Sequence, residues 1–270
     1  MFAFFDIGDT LVDEADFARF RHASIFEFLM RRGCRISEEQ YQSDLNNLSM
    51  QGRMTLFDQL LWLAERNGGD TLLAMAVFRD YILHVAPEAP RRFVPFPDAR
   101  ATLLALAHPT KGSAPLTRLG IIANQPTWIR GRMQDWGLLE FFEAESVVIS
   151  DEVAISKPRP EIFQFALGQA EVAAAESVMV GNDYLNDILP AKHLGMRTIW
   201  IERDDPYAPG APPILDPRAA DERVTQLAEI PAALARLADH MHATSANSHN
   251  GSRNGRYKAA AGSTARSAHP

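Results

Sequence analysis

Phe2 to Phe5 form an unbroken apolar run that ends in Asp6-Ile7-Gly8-Asp9-Thr10. A short apolar run with a polar, glycine-containing exit reads as a strand buried on both faces of a parallel sheet. From about Asp13 to Pro90 the period changes. Phe17, Phe20, Ile25, Phe28 and Leu29 recur at helical spacing, and two later sets follow around Leu60 and Leu73. That spacing predicts three or four helices over residues 14–90. Pro87, Pro90, Pro95 and Pro97 mark its end.

Strand and helix patterns then alternate. Helices are expected over 99–107, 129–136, 160–170 and 186–194. Strands are expected over 119–123, 146–149, 177–180 and 198–201. This alternation predicts an α/β fold, a doubly wound parallel sheet with an inserted helical cap. The core domain is expected from 1–13 and 91–241, and the cap from 14–90. The core closes with a helix over 222–241 that Pro231 interrupts. From His242 the sequence is dominated by Ser, Asn, Gly, Ala, Arg and His. Such a segment buries too little apolar surface to offset its ordering entropy, so 242–270 is expected to be a disordered tail.

Composition narrows the class. A chain of 270 residues, 46% of them hydrophobic, has room for a core domain and an insert. The net charge of −7, with no long Lys or Arg run, argues against a nucleic-acid partner. No apolar run approaches the ~18 residues that span a bilayer. The apolar N-terminal stretch is short, lacks a basic region before it and meets an acid at Asp6, so it reads as a strand and not a signal peptide. Cys34 is the single cysteine, which excludes an intramolecular disulfide. A cytoplasmic protein, monomer or homodimer, with no membrane partner, is expected. An acidic protein that binds an anion must gather positive charge locally, so individual Lys and Arg residues matter.

Four segments carry the candidate chemistry. The first is Asp6-Ile7-Gly8-Asp9-Thr10-Leu11. The second is Leu119 to Asn124, followed by Gln125 and Thr127. The third is Ile155-Ser156-Lys157-Pro158-Arg159-Pro160-Glu161-Ile162-Phe163. The fourth is Val178-Met179-Val180-Gly181-Asn182-Asp183-Tyr184-Leu185-Asn186-Asp187. In open α/β sheets ligands sit beyond the carboxyl ends of strands, so Asp6 is well placed for chemistry. Arg19 and Arg21 follow the first segment closely enough to face it.

Over residues 1 to 203 these segments resemble the haloacid dehalogenase superfamily of hydrolases, in the subfamily with an α-helical cap between the first two motifs. The resemblance implies that Asp6 is a nucleophile forming a covalent ester. It implies that Lys157 neutralises Asp6 and the substrate phosphate, and that Asn124 and Thr10 contact substrate. It further implies Mg²⁺ held by Asp6, the Gly8 carbonyl, and Asn182 or Asp183, with Asp187 in support. Three positions depart from the family pattern. Gly8 stands where the family has its general acid, Ala123 where it has a hydroxyl, and Asn182 where it has an acid. The leading expectation is a phosphomonoester hydrolase acting on a small phosphorylated metabolite, such as a sugar or cyclitol phosphate, through an aspartyl-phosphate. A 2-haloacid dehalogenase is the second reading, because halide leaves without protonation. A weakly active or inactive binding protein is the third.

Overall fold

A computed structural model describes residues 1–50, 56–109, 117–202 and 220–251. The chain begins with β1 (Phe2–Phe5) and β2 (Val12–Asp13), then enters α1 (Ala15–Arg31), α2 (Glu38–Met50), α3 (Leu56–Arg66), α4 (Thr71–Asp80) and α5 (Ala89–Arg92). It returns through β3 (Val94–Pro95) and α6 (Ala99–Ala107) to β4 (Arg118–Ala123), α7 (Ile129–Asp135), β5 (Val147–Ile149), α8 (Ser150–Val153) and α9 (Pro160–Gln169). β6 (Ser177–Gly181), α10 (Leu189–His193), β7 (Arg197–Ile201), β8 (Glu222–Val224) and α11 (Ile230–Gly251) complete it.

Six strands form one sheet in the order β5-β4-β1-β6-β7-β8. Every neighbouring pair is parallel. β1 is central because it is apolar on both faces. Phe2 and Phe4 pack with Ile162, Phe163 and Ala166 of α9, while Ala3 and Phe5 join the cluster that holds Leu103 of α6 and Leu234 of α11. Burying one such aromatic side chain stabilises by about 1.5–3 kcal/mol. The chain runs outward from β1 to β4 and β5, then crosses back to β6 on the other side of β1. Loops leaving β1, β4 and β6 therefore diverge from one point, the crevice where α/β sheets bind ligands.

Of the helices between β2 and β3, α1 lines that crevice with Phe17, Ala18 and Arg21. The two short strands pair antiparallel, Val12 with Pro95 and Asp13 with Val94, so the chain enters and leaves the insert through one narrow ribbon. Phe17 of α1 meets Phe93 edge-on, and Phe93 meets Trp128, which carries apolar contact from the insert to the sheet domain. Within the insert, Asp44 is fully buried and accepts from Gln40 Nε2 and Arg66 Nε, both at 2.9 Å. Asp70 caps α4 by accepting from the Leu73 N–H. Among the described residues, no helix is long and apolar enough to cross a membrane.

The C-terminal part departs from the expectation. Residues Glu222–Val224 are an edge strand, and Pro231 lies in the first turn of α11 instead of interrupting it. Proline suits a first turn because its missing N–H has no intrahelical partner there. The helix also continues past His242 to Gly251, into the segment expected to lack order. Adding residues to a nucleated helix is far easier than starting one, and the packed first turns supply the nucleus. Residues 252–270 of the expected tail lie outside the described residues.

Candidate active site

Asp6 follows β1, and its backbone N–H donates to Val180 O at 2.9 Å, fixing its loop against β6. Its carboxylate is almost fully buried, where Lys157 Nζ donates to Oδ1 at 2.6 Å. The same ammonium donates to Asp187 Oδ1, also at 2.6 Å. Lys157 is 2% exposed and Asp187 is 0% exposed, so two carboxylates share one ammonium away from water. Burial opposes the Lys157 charge, but Asp187 and Asp6 outweigh it and push the ammonium up to about 12. Burial raises Asp6 above the usual carboxylate range, against the pull of Lys157. Burial likewise pushes Asp187 up to about 8, with Lys157 pulling down and Asp6 and Asp183 adding repulsion.

Three backbone devices hold this triad. Asn124, at the end of β4, accepts the Lys157 N–H on Oδ1 at 2.8 Å and donates Nδ2 to Lys157 O at 3.0 Å. Asp187 Oδ2 accepts the Asp183 N–H at 3.0 Å. Pro160 opens α9 in its first turn and fixes where the lysine loop ends. Gly181 is required by space: a Cβ there would lie 2.5 Å from Cγ and 2.6 Å from Cβ of Asp187. Gly181→Ala is expected to lower stability by about 1–3 kcal/mol, the scale of core overpacking. It also shifts Asp187 away from Lys157. A denaturation midpoint and kcat, both reduced, check this.

The expected site residues divide into two groups. Asp6, Gly8, Asn124, Lys157, Asn182 and Asp183 line one pocket of about 240 Å³. Thr10 and Asp187 are fully buried outside that lining. Thr10 Oγ1 donates to Asn182 Oδ1 at 3.1 Å, so the expected substrate contact is instead a tie between the first and fourth loops. Asp187 gives one oxygen to Lys157 and the other to the Asp183 N–H, so it orients the lysine. Asn124 reaches the pocket, but its side chain positions Lys157. Asp183 accepts the Leu185 and Asn186 N–H groups on Oδ1, both at 2.9 Å, and so caps the π-helical turn Tyr184–Ile188.

Sequence reasoning missed one acid. Glu14, at the N-cap of α1, lines the pocket, and its Oε1 accepts from Gln125 Nε2 at 2.6 Å. The Asp9 carboxylate lines the same pocket and accepts the Glu14 N–H at 3.0 Å. Burial, then repulsion from Asp9, pushes the Glu14 carboxyl up to about 8, against the Gln125 hydrogen bond. The sign follows directly. Between the ordinary value of 4.5 and about 8 the folded protein keeps a proton that the unfolded chain releases, so this group withdraws stability as pH rises through that window. In chelator, the melting temperature of wild type minus that of Glu14→Gln is expected to fall from about pH 5 to about pH 8. A pH-independent difference contradicts it. Arg21 of α1 also lines the pocket, as its position after the first motif suggested.

Oxygen donors suit Mg²⁺, a hard cation that keeps several waters and takes one or two carboxylates plus substrate phosphate. Asp6, the Gly8 carbonyl and Asn182 belong to the pocket and offer oxygen donors, whereas Asp183, which also lines it, gives both carboxylate oxygens to the Leu185 and Asn186 N–H groups and the Asn186 amide. Among the described residues no three His, Cys, Asp or Glu side chains gather into a metal cluster. The buried triad carries more carboxylate than ammonium, so added positive charge beside Asp6 is favourable. The donor set therefore fits a thinly held Mg²⁺.

A model of the haloacid dehalogenase-like hydrolases matches residues 2–195. A glyceraldehyde 3-phosphate phosphatase from Pyrococcus abyssi is 32% identical over 203 residues, 74% of this chain and 80% of the relative. A phosphoserine phosphatase from Thermus thermophilus is 35% identical over 147 residues, 52% of this chain and 53% of the relative. Among solved structures, a phosphatase from Thermococcus onnurineus superposes with a TM-score of 0.57 at 24% identity, covering 86% of this chain and 97% of that one.

Proposed function

Since the chain belongs to the haloacid dehalogenase-like hydrolases, the family model spanning residues 2–195, we propose that it hydrolyses phosphate monoesters of small metabolites through attack by Asp6. The observation that carries this reading is the Asp6–Lys157–Asp187 triad at the strand ends, with both ion pairs at 2.6 Å. A carboxylate nucleophile divides one difficult displacement into two easier ones. Lys157 holds Asp6 in place and lends positive charge to the transferring phosphoryl group, whose transition state depends mainly on positioning and electrostatics. Mg²⁺, when bound by Asp6, the Gly8 carbonyl and Asn182, supplies further charge neutralisation of the phosphate. Arg21 supplies a cation from the cap side of the pocket for a second anionic group of the substrate.

The pocket volume of about 240 Å³ favours a small ester. The names of the Pyrococcus and Thermus relatives specify glyceraldehyde 3-phosphate and phosphoserine, both small phosphate monoesters. One observation favours a second reading, a 2-haloacid dehalogenase. Gly8 offers no acid side chain and Asn182 no carboxylate, and neither is needed when halide leaves. The curated relatives named as phosphatases weigh the other way.

The test is a panel of small phosphate esters and 2-haloacids, each with Mg²⁺ and with chelator. Magnesium-dependent phosphate release is expected. Chelator-resistant halide release would replace this reading with the second. Asn182→Asp adds a carboxylate to the donor set. It is expected to lower the Mg²⁺ concentration for half-maximal activity roughly tenfold, the low end of what even outer-sphere partners contribute to metal affinity. An unchanged Mg²⁺ titration places the ion away from residue 182.

A further inference from the structure

Cleaving a phosphate monoester leaves negative charge on the departing oxygen, and an alkoxide leaves poorly unless it is protonated. Gly8 has no side chain to give that proton. Its φ lies outside the left-handed region, so the backbone there accepts any residue. What a side chain there would meet is occupied space. A Cβ on Gly8 would fall on the Glu14 carboxyl, 2.9 Å from Cδ and closer to Oε1, and 3.0 Å from Gln125 Nε2. Glu14 therefore fills the volume into which a side chain at position 8 would extend.

One hydrogen bond holds the carboxyl there, and another holds the backbone that carries it. Gln125 Nε2 donates to Oε1 at 2.6 Å, and the Asp9 carboxylate accepts the Glu14 N–H at 3.0 Å. Glu14 lines the same pocket as Asp6 and Lys157. Glu14 is half-buried, and partial burial favours the neutral, proton-bearing form of a carboxyl.

We propose that Glu14, reaching back from the first turn of the cap, is the acid–base group of the reaction and takes the place of the side chain that Gly8 lacks. This rests on the phosphatase reading. In the first half, an Asp6 oxygen bonds to phosphorus, the ester P–O bond breaks, and the Glu14 proton ends on the leaving alcohol. In the second half, water bonds to phosphorus, the Asp6–phosphorus bond breaks, and the proton lost by water returns to Glu14. No oxidant or reductant is required.

Leaving-group dependence separates this role from a structural one. Phenyl phosphate and 4-nitrophenyl phosphate are nearly the same size, but nitrophenolate leaves far more easily without a proton. Glu14→Gln is expected to slow phenyl phosphate by at least about 10²-fold, the lower scale of general acid catalysis, and 4-nitrophenyl phosphate far less. The exchange variant Gly8→Asp with Glu14→Ala is expected to recover phenyl phosphate turnover above Glu14→Ala alone. An equal loss on both esters, or no loss on either, overturns the assignment. If Glu14→Gln folds poorly, the exchange variant decides: recovery supports the assignment, and a folded variant without recovery overturns it. A wild-type protein silent on both esters, with no phosphate release across the wider panel, removes the phosphatase reading and this assignment together.

Discussion

Asp6→Asn is expected to lower kcat by at least about 10⁴-fold, the scale seen when a nucleophile or its activating partner is removed from covalent catalysis. The amide does not form the ester, yet it is nearly isosteric with the carboxylate. Its Oδ1 still accepts from Lys157 Nζ, where Asp6 now does so at 2.6 Å. The substitution also removes one of two carboxylates that share a single buried ammonium. Lys157 and Asp187 then form a neutral pair, and the repulsion of Asp187 by Asp6 disappears. Melting temperature is therefore expected to hold or rise while turnover collapses. Melting and kcat on 4-nitrophenyl phosphate, measured side by side, check both halves. A variant that loses activity and stability together contradicts this assignment of the charge.

Lys157→Met has the opposite signature. The methionine is similar in length and remains buried, but Asp6 and Asp187 lose their shared cation. Removing one partner of a buried ion pair costs about 3–5 kcal/mol when the remaining charge stays ionised. The carboxyls escape part of that cost by protonation. With Lys157 gone, the downward pull on both disappears, so their folded values rise further above the unfolded ones. The folded state then binds more protons than the unfolded chain, and the deficit relative to wild type grows as pH rises above the ordinary carboxyl range. Turnover is expected to fall by at least about 10²–10³-fold, the range for losing one preorganised electrostatic contact. Adding Asp187→Asn removes one orphaned carboxylate. It is expected to restore much of the stability and none of the turnover, which separates the two roles of the lysine. Urea denaturation at low and high pH, with kcat on the same samples, measures both.

The legible parts of this fold are those written in contiguous sequence. β1 announces itself by four apolar residues and an acidic exit. α6 was expected over 99–107 and is Ala99–Ala107. Lys157 stands out because Pro158 and Pro160, just after it, shape its loop. Elements without period stayed hidden. β2 and β3 are two residues each, one of them a proline, and exist only through their pairing. β8 is the short charged edge Glu-Arg-Val, which alone reads as the start of a helix.

The site divides in the same way. Which residues end the strands was readable; what their side chains touch was not. Asn124 clamps a backbone 33 positions away, and Thr10 bonds an amide 172 positions away. Glu14 meets Gln125 across 111 positions, in a space that only Gly8 leaves open. The missing acid at position 8 and an acid at the mouth of the cap were both visible in the sequence. Linking them required the distance between them.

Asp6 as the covalent nucleophile is the claim on which the rest depends. Rapid acid quenching of the wild type during turnover of 4-nitrophenyl phosphate, followed by mass spectrometric mapping of its peptides, tests it most directly. The predicted result is a phosphoryl group on Asp6, present only while substrate is being turned over and absent from Asp6→Asn. A phosphoryl group on another residue, or none at any quench time while phosphate accumulates, contradicts it.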